Sequence, residues 1–166
     1  MSTVRMHVLI DLQNAITYLD GQVIQGQKVA DKAKLKPATR LFLRNVLGIL
    51  QPVMKAYADE LADRVRDITG GAGTFTPDQQ VEANRIDGEL RALDIEIRLP
   101  KKKLMVEELN IEDNQTPITV LRGLEPVVDF PADELEAGEA GETGNYRDIF
   151  KTTLRQPAHG DVAQAA

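Results

Sequence analysis

The sequence predicts a mainly helical α+β fold, in which a kinked long helix forms an antiparallel helical hairpin arm on a small base with a minimal β-sheet and short helices. Three observations carry this. An apolar stripe of helical period runs from Leu43 to Ile68. A Thr-Pro-Asp-Gln start signal follows at residues 76 to 79, after a glycine-rich turn. Two short segments, Val4 to Ile10 and Ile95 to Leu99, alternate apolar and polar residues with the period of a strand.

In chain order, Val4, Met6, Val8 and Ile10 alternate with Arg5, His7 and Leu9, which suits a strand with one buried face. Leu12, Ala15, Ile16 and Leu19 then fall at i, i+3, i+4 and i+7. They predict a short amphipathic helix with Asp11 as its N-cap and Gly21 as its stop. Residues 21 to 36 contain Gly21 and Gly26 and end in a basic run, so they read as a loop or small hairpin.

Pro37 is a favourable first helical residue, and the helix it opens runs to Gly70-Gly71. Leu43, Val46, Leu47, Leu50, Val53, Met54, Tyr57, Leu61, Val65 and Ile68 share an arc of roughly 120°. The stripe keeps its phase through Pro52, so the proline reads as a bend within one helix, its ring set against the carbonyl of Gly48. The alternative is two helices meeting near Gly48, for which Gln51 makes a poor N-cap.

Thr76, Pro77 and Gln79 form a capping box, and the helix they start runs to about Leu93, burying Ala83, Ile86, Leu90 and Leu93. At 1.5 Å per residue the long helix spans roughly 50 Å and its partner roughly 25 Å, so only half is covered. The arm, about residues 53 to 93, therefore projects. Residues 37 to 50, with Leu41, Phe42 and Ile49 widening the apolar surface, are enclosed.

Ile95, Ile97 and Leu99 form a strand ended by Pro100 that pairs with the Val4 to Ile10 strand, and Leu104 to Val106 adds a third. Thr116-Pro117 repeats the cap-then-proline start for a helix through Leu124. Residues 1 to 128 make a single body whose order ends near Phe130. Residues 129 to 166 make an acidic, flexible tail. Seventeen Lys and Arg face 18 Asp and Glu up to residue 128, and three face eight beyond it, so five of the six net negative charges lie in the tail. Tyr146, Ile149, Phe150 and Leu154 have helical spacing; they form either a short docking segment or scattered apolar residues in a disordered tail.

Composition narrows the chemistry. The 166 residues, 42% hydrophobic, suffice for one core and one domain. A net charge of −6 gives no general attraction for nucleic acid or an anionic membrane. The absence of cysteine excludes a disulfide framework, a thiolate nucleophile and a zinc–sulfur site. No apolar run approaches the roughly 18 residues that span a bilayer, and the N-terminus lacks an export signal pattern. The sole serine is Ser2 and the histidines are His7 and His159, so no Ser-His-Asp or Cys-His constellation assembles. Asp59, Glu60 and Asp63, and the group Glu107, Glu108, Glu112, Asp113 and Asn114, lack the spacing of a calcium loop and read as solvated faces. The glycine-rich TGGAGTFTP lacks the lysine of a phosphate loop. No cofactor, metal or catalytic residue is expected, and the chain is not expected to be an enzyme. The one basic cluster, Arg98 with Lys101, Lys102 and Lys103, is a candidate for contact with phosphate or an acidic surface.

The succession of "LIDLQNAITYLD", "LFLRNVLGILQPVMKAY", a glycine-containing turn, a second helix and "LDIEIRLPKKKL" resembles a group of small tailed-phage proteins of unknown function. The resemblance covers about residues 8 to 128 and rests on apolar spacing. It implies a non-enzymatic accessory protein of the virion or its assembly, located in the virion or host cytoplasm, whose partners are other phage structural proteins or copies of itself. The arm's Tyr57, Leu61, Val65 and Ile68, with Phe75 at its tip, are the expected contact residues, since two helices alone cannot bury a stripe on both sides. They serve equally as intramolecular core. The rival expectation is a protein that binds a nucleotide or other small molecule through the basic cluster; a hydrolase using carboxylates alone ranks last.

Overall fold

The computed structural model describes residues 1–21, 23–24, 27–28 and 32–131. The fold is α+β and mainly α. Strand β1 (Ser2–Arg5) leads directly into helix α1 (Met6–Leu19), followed by the short antiparallel pair β2 (Val23–Ile24) and β3 (Gln27–Lys28). Helices α2 (Pro37–Thr69) and α3 (Pro77–Arg91) come next, then β4 (Asp94–Ile97), β5 (Leu104–Met105) and a 3-10 turn at Val106–Leu109. Two short helices, α4 (Ile111–Asn114) and α5 (Ile118–Gly123), precede β6 (Val128–Asp129).

Helix α1 is the centre of the core. Met6, Leu9, Leu12, Ala15, Ile16 and Leu19 are all buried, a spacing of three and four residues that the helix turns toward α2 on one side and α5 on the other. This corrects the expected strand over Val4 to Ile10: pairing stops at Arg5, and Asp11 is an exposed mid-helix residue instead of an N-cap. The alternation spans four apolar residues, whereas the helical spacing from Met6 to Leu19 satisfies six, and the longer pattern wins.

Close approach of α5 to α1 depends on two small residues. A Cβ at Gly123 would lie 2.6 Å from the Asp11 carbonyl oxygen and 2.9 Å from Ala15 Cβ, so only glycine fits there.

Helix α2 is unbroken from Pro37 to Thr69 and passes through Pro52, so there is one helix, not two meeting near Gly48. It ends where Gly70 and Gly71 take positive φ values of 60° and 83°. Its buried residues, Thr39, Leu43, Val46, Leu50 and Met54, all lie in its first 18 positions, and none is buried from Lys55 onward. Each buried leucine contributes roughly 1.5–3 kcal/mol over an exposed one.

Side-chain clamps seat the segment leading into α2. The carboxylate of Asp20, just past α1, accepts from Arg40 at 3.3 Å and Arg44 at 3.2 Å. Arg40 also donates to the Ala33 carbonyl at 2.8 Å. The Asn114 amide grips Lys34 on both sides: its Oδ1 accepts from the Lys34 backbone N–H at 2.6 Å and its Nδ2 donates to the Lys34 carbonyl at 3.3 Å.

The β1–β4 pair is antiparallel, with Val4 opposite Ile95 and Ser2 opposite Ile97. Leu99 lies outside it. The expected third strand over Leu104 to Val106 is a second correction, because β5 pairs in parallel with β6, with Leu104 opposite Val128, and Val106 already belongs to the 3-10 turn. Thr116 does not cap α5. Its N–H returns to the Ile111 carbonyl at 3.3 Å, which binds it to the preceding turn, and Pro117 occupies the cap position in extended conformation.

Val128 and Phe130 are buried in the core, so packing continues past residue 128. The acidic stretch from Asp133 to Glu142, and Tyr146, Ile149, Phe150 and Leu154, lie outside the described residues.

Candidate interaction surface

Helix α3 is fastened to α2 at two points. At its start the capping box is complete: the Gln79 N–H donates to Thr76 Oγ1 at 3.3 Å, and the Thr76 N–H donates to Gln79 Oε1 at 2.9 Å. The same Gln79 side chain donates from Nε2 to the Ile68 carbonyl at 3.2 Å, meeting one of the acceptors that the last turn of α2 leaves free. Farther along α3, the Tyr57 hydroxyl donates to the Asp87 carboxylate, whose other oxygen accepts from Arg91 Nε at 2.7 Å. Residue numbers thus fall along α2 as they rise along α3. Burial, and then the hydrogen bond to Asp87, push the Tyr57 phenol above its ordinary pKa.

Ala83, Ile86 and Leu90 of α3 are buried, whereas Leu61, Val65 and Ile68 of α2 are only half-buried. Leu93, expected with the buried set, is instead 51% exposed: α3 stops at Arg91, so Leu93 leaves the helical phase. Phe75, in the turn between the helices, is 45% exposed. The structure therefore ties Tyr57 into the α2–α3 contact through its hydroxyl, leaves Leu61, Val65 and Ile68 half-buried, and leaves Phe75 exposed in the turn. Ion pairs within each helix line this region. Lys55 pairs with Asp59, Glu60 with Arg64 and Asp63 with Arg66, and Arg85 bridges Glu82 and Glu89. Asp59, Glu60 and Asp63 thus each have a separate cation partner. Glu108 Oε2 accepts from the Met105 N–H at 2.8 Å, Asp113 accepts from Asn110, and Asn114 holds Lys34.

At the level of Pro52 an apolar groove of about 420 Å³ opens between the helices and the base. Pro52, Val53, Ala56 and Tyr57 form one wall, Leu90, Leu93 and Ile95 the other, with Met6 beneath and Glu60 at the rim. Sequence reasoning singled out Tyr57 as an arm residue but missed the groove, since its walls come from four elements. The available signals were the proline, which offers no N–H, and a leucine two residues past a helix end.

The basic cluster is divided. Arg98 and Lys101 line a cleft of about 570 Å³ with Ser2, Ile49, Leu99 and Pro100. Lys102 is exposed, and Lys103 Nζ donates to the Glu125 carbonyl at 2.9 Å. His7 lies on α1, not on a strand, and borders a cleft of about 640 Å³ with Asp11, Thr119 and Arg122. Among the described residues no three His, Cys, Asp or Glu side chains gather as a metal site, and no helix is long and apolar enough to cross a membrane. Comparison with models of known families, with curated proteins and with solved structures finds no match.

Proposed function

We propose that this chain acts through protein–protein contacts, without catalysis, as an accessory protein of a tailed-phage particle or of its assembly. The observation that carries the contact reading is the half-buried stripe of Leu61, Val65 and Ile68. The helix packed beside it is α3, and the apolar groove at Pro52 lies farther back along α2. A two-helix layer leaves one side of such a stripe wet, and a further surface, from a partner or a second copy, would cover it. Tyr57 and Phe75 extend that surface at either end. The phage setting rests on the sequence resemblance over residues 8 to 128. The test is sedimentation velocity over a wide concentration range, together with a search for the chain in purified particles. Association or particle incorporation that is lost in Val65→Asp, with unchanged circular dichroism, supports the proposal. A monomer at every concentration that is absent from particles overturns it.

A second reading is favoured by the cleft that Arg98 and Lys101 share: binding of a nucleotide or similar anion. Calorimetric titration with ATP separates the two readings. Tight binding that is abolished by Arg98→Ala with Lys101→Ala, and retained in Lys103→Ala, would move the function to that cleft.

A further inference from the structure

The two ends of α2 carry opposite unpaired charge. From Lys32 to Arg44 the chain has five Lys and Arg and no Asp or Glu. Asp20 is shared by Lys32, Arg40 and Arg44, and Asp113 is tied to Asn110, which donates to the Lys34 carbonyl. The Lys34 and Lys36 side chains are exposed and have no partner among the described residues. At the other end, from Asp67 to Gln80, there are two carboxylates and no cation. Asp67 and Asp78 are exposed, and neither forms an ion pair with a described residue. The other acids of α2 and α3, namely Asp59, Glu60, Asp63, Glu82, Asp87 and Glu89, are each paired with a cation.

Each end also exposes apolar surface beside its charges. Phe75 is 45% exposed and Val81, one turn past Asp78, is 70% exposed. Leu41, one turn before Arg44, is 61% exposed. The 33 residues of α2 hold the two ends roughly 50 Å apart, so a chain cannot join its own tip to its own basic patch. We propose that the hairpin tip of one copy docks on the 32–44 patch of another, with Asp67 and Asp78 meeting Lys34 and Lys36 and with Phe75 covering Leu41. The contact is head-to-tail. Every copy offers one acidic and one basic end, so the contact propagates into a ring or an open chain instead of closing as a symmetric pair. A hairpin tip buries less than the roughly 1,200 Å² of a stable interface, so the contact is weak and screened by salt. The inference rests on the reading of this chain as contact-making and names the partner as a second copy.

Charge exchange in the full-length protein tests it. Asp67→Lys with Asp78→Lys makes the tip basic, and Lys34→Glu with Lys36→Glu makes the patch acidic. All four side chains are exposed, and circular dichroism checks that both variants stay folded. In sedimentation velocity, wild type should associate with rising concentration, about tenfold more weakly as the Debye length falls from about 10 Å at 0.1 M salt to about 3 Å at 1 M. Each variant alone should be monomeric, because its two ends then carry like charge. An equimolar mixture should associate again, because each variant's tip is then opposite in charge to the other's patch. Variants that associate as strongly as wild type, or a mixture that stays monomeric, overturn the proposal. Wild-type association that survives both exchanges but is lost in Val65→Asp keeps the contact function and refutes this docking. Association that follows the charges and is indifferent to Val65→Asp keeps the docking and removes the half-buried stripe from the contact function. A wild type that is monomeric at every concentration yet present in particles refutes the second copy and assigns the contact to another protein.

Discussion

The two halves of α2 carry the same apolar stripe and meet different surroundings. From Pro37 to Met54 the stripe is enclosed by the body, and Leu43, Val46 and Leu50 are almost wholly buried. From Lys55 to Thr69 no residue is buried, α3 is the neighbouring helix, and ion pairs within each helix occupy the outer faces. Burial of a large side chain is worth several kcal/mol, whereas an exposed ion pair contributes roughly 0–1 kcal/mol. One half is thus held by depth and the other by caps and local pairs. A stripe gives a helix's orientation; how many neighbours enclose it gives its stability.

The largest expected effect lies on the enclosed half. Leu50→Ala should lower the unfolding free energy by roughly 2–5 kcal/mol in urea melts, whereas Leu61→Ala on the other half should cost less than half as much. Equal losses would break the contrast. Next, Gly123→Ala should cost roughly 1–3 kcal/mol, because the new methyl meets the Asp11 carbonyl, and should leave α3 unaffected. Thr76→Ala removes one half of the capping box and should cost about 1 kcal/mol. Its signature is local: faster amide exchange in α3 with α1 unchanged.

The smallest effect concerns Tyr57. Its phenol titrates higher in the folded chain, so the neutral form is the one the fold favours. That contribution is fully present below the ordinary tyrosine value near about 10 and is lost as pH rises through the higher folded value. Wild type should therefore lose stability above about pH 10 more steeply than Tyr57→Phe, as read from melting temperature against pH. A difference of opposite sign would mean that Asp87 does not hold the protonated phenol.

Much of the framework was legible because punctuation is local. Pro37, Gly70 and the Thr76-Pro77-Gln79 box each act within one helical turn, and the helices they bound lie where the sequence places them. The alternation of Ile95 and Ile97 marked β4, but its partner β1 shares only Val4 and Arg5 with the strand expected over Val4 to Ile10. The errors came where a local pattern competed with packing. Val4 to Ile10 alternates, yet α1 claims everything from Met6 because α2 and α5 bury its two sides. Leu104 and Met105 read as a strand, but which strand they join depends on residues 128 and 129. The groove was invisible for the same reason, since Met6, Pro52, Leu93 and Ile95 are brought together only by the fold. Tyr57 was singled out because it sits on a long helical stripe, while its bond to Asp87, thirty residues away, leaves no sequence signal.

Residue-resolved hydrogen exchange of the full chain at low concentration tests the contrast most directly. Amides of α1 and of residues 40 to 54 should exchange only through global unfolding, while those from residue 58 through α3 should open at a distinctly lower free energy and respond to Thr76→Ala. A single opening free energy shared by α1, all of α2 and α3 would contradict the account, because the distal pair would then be as deeply integrated as the core.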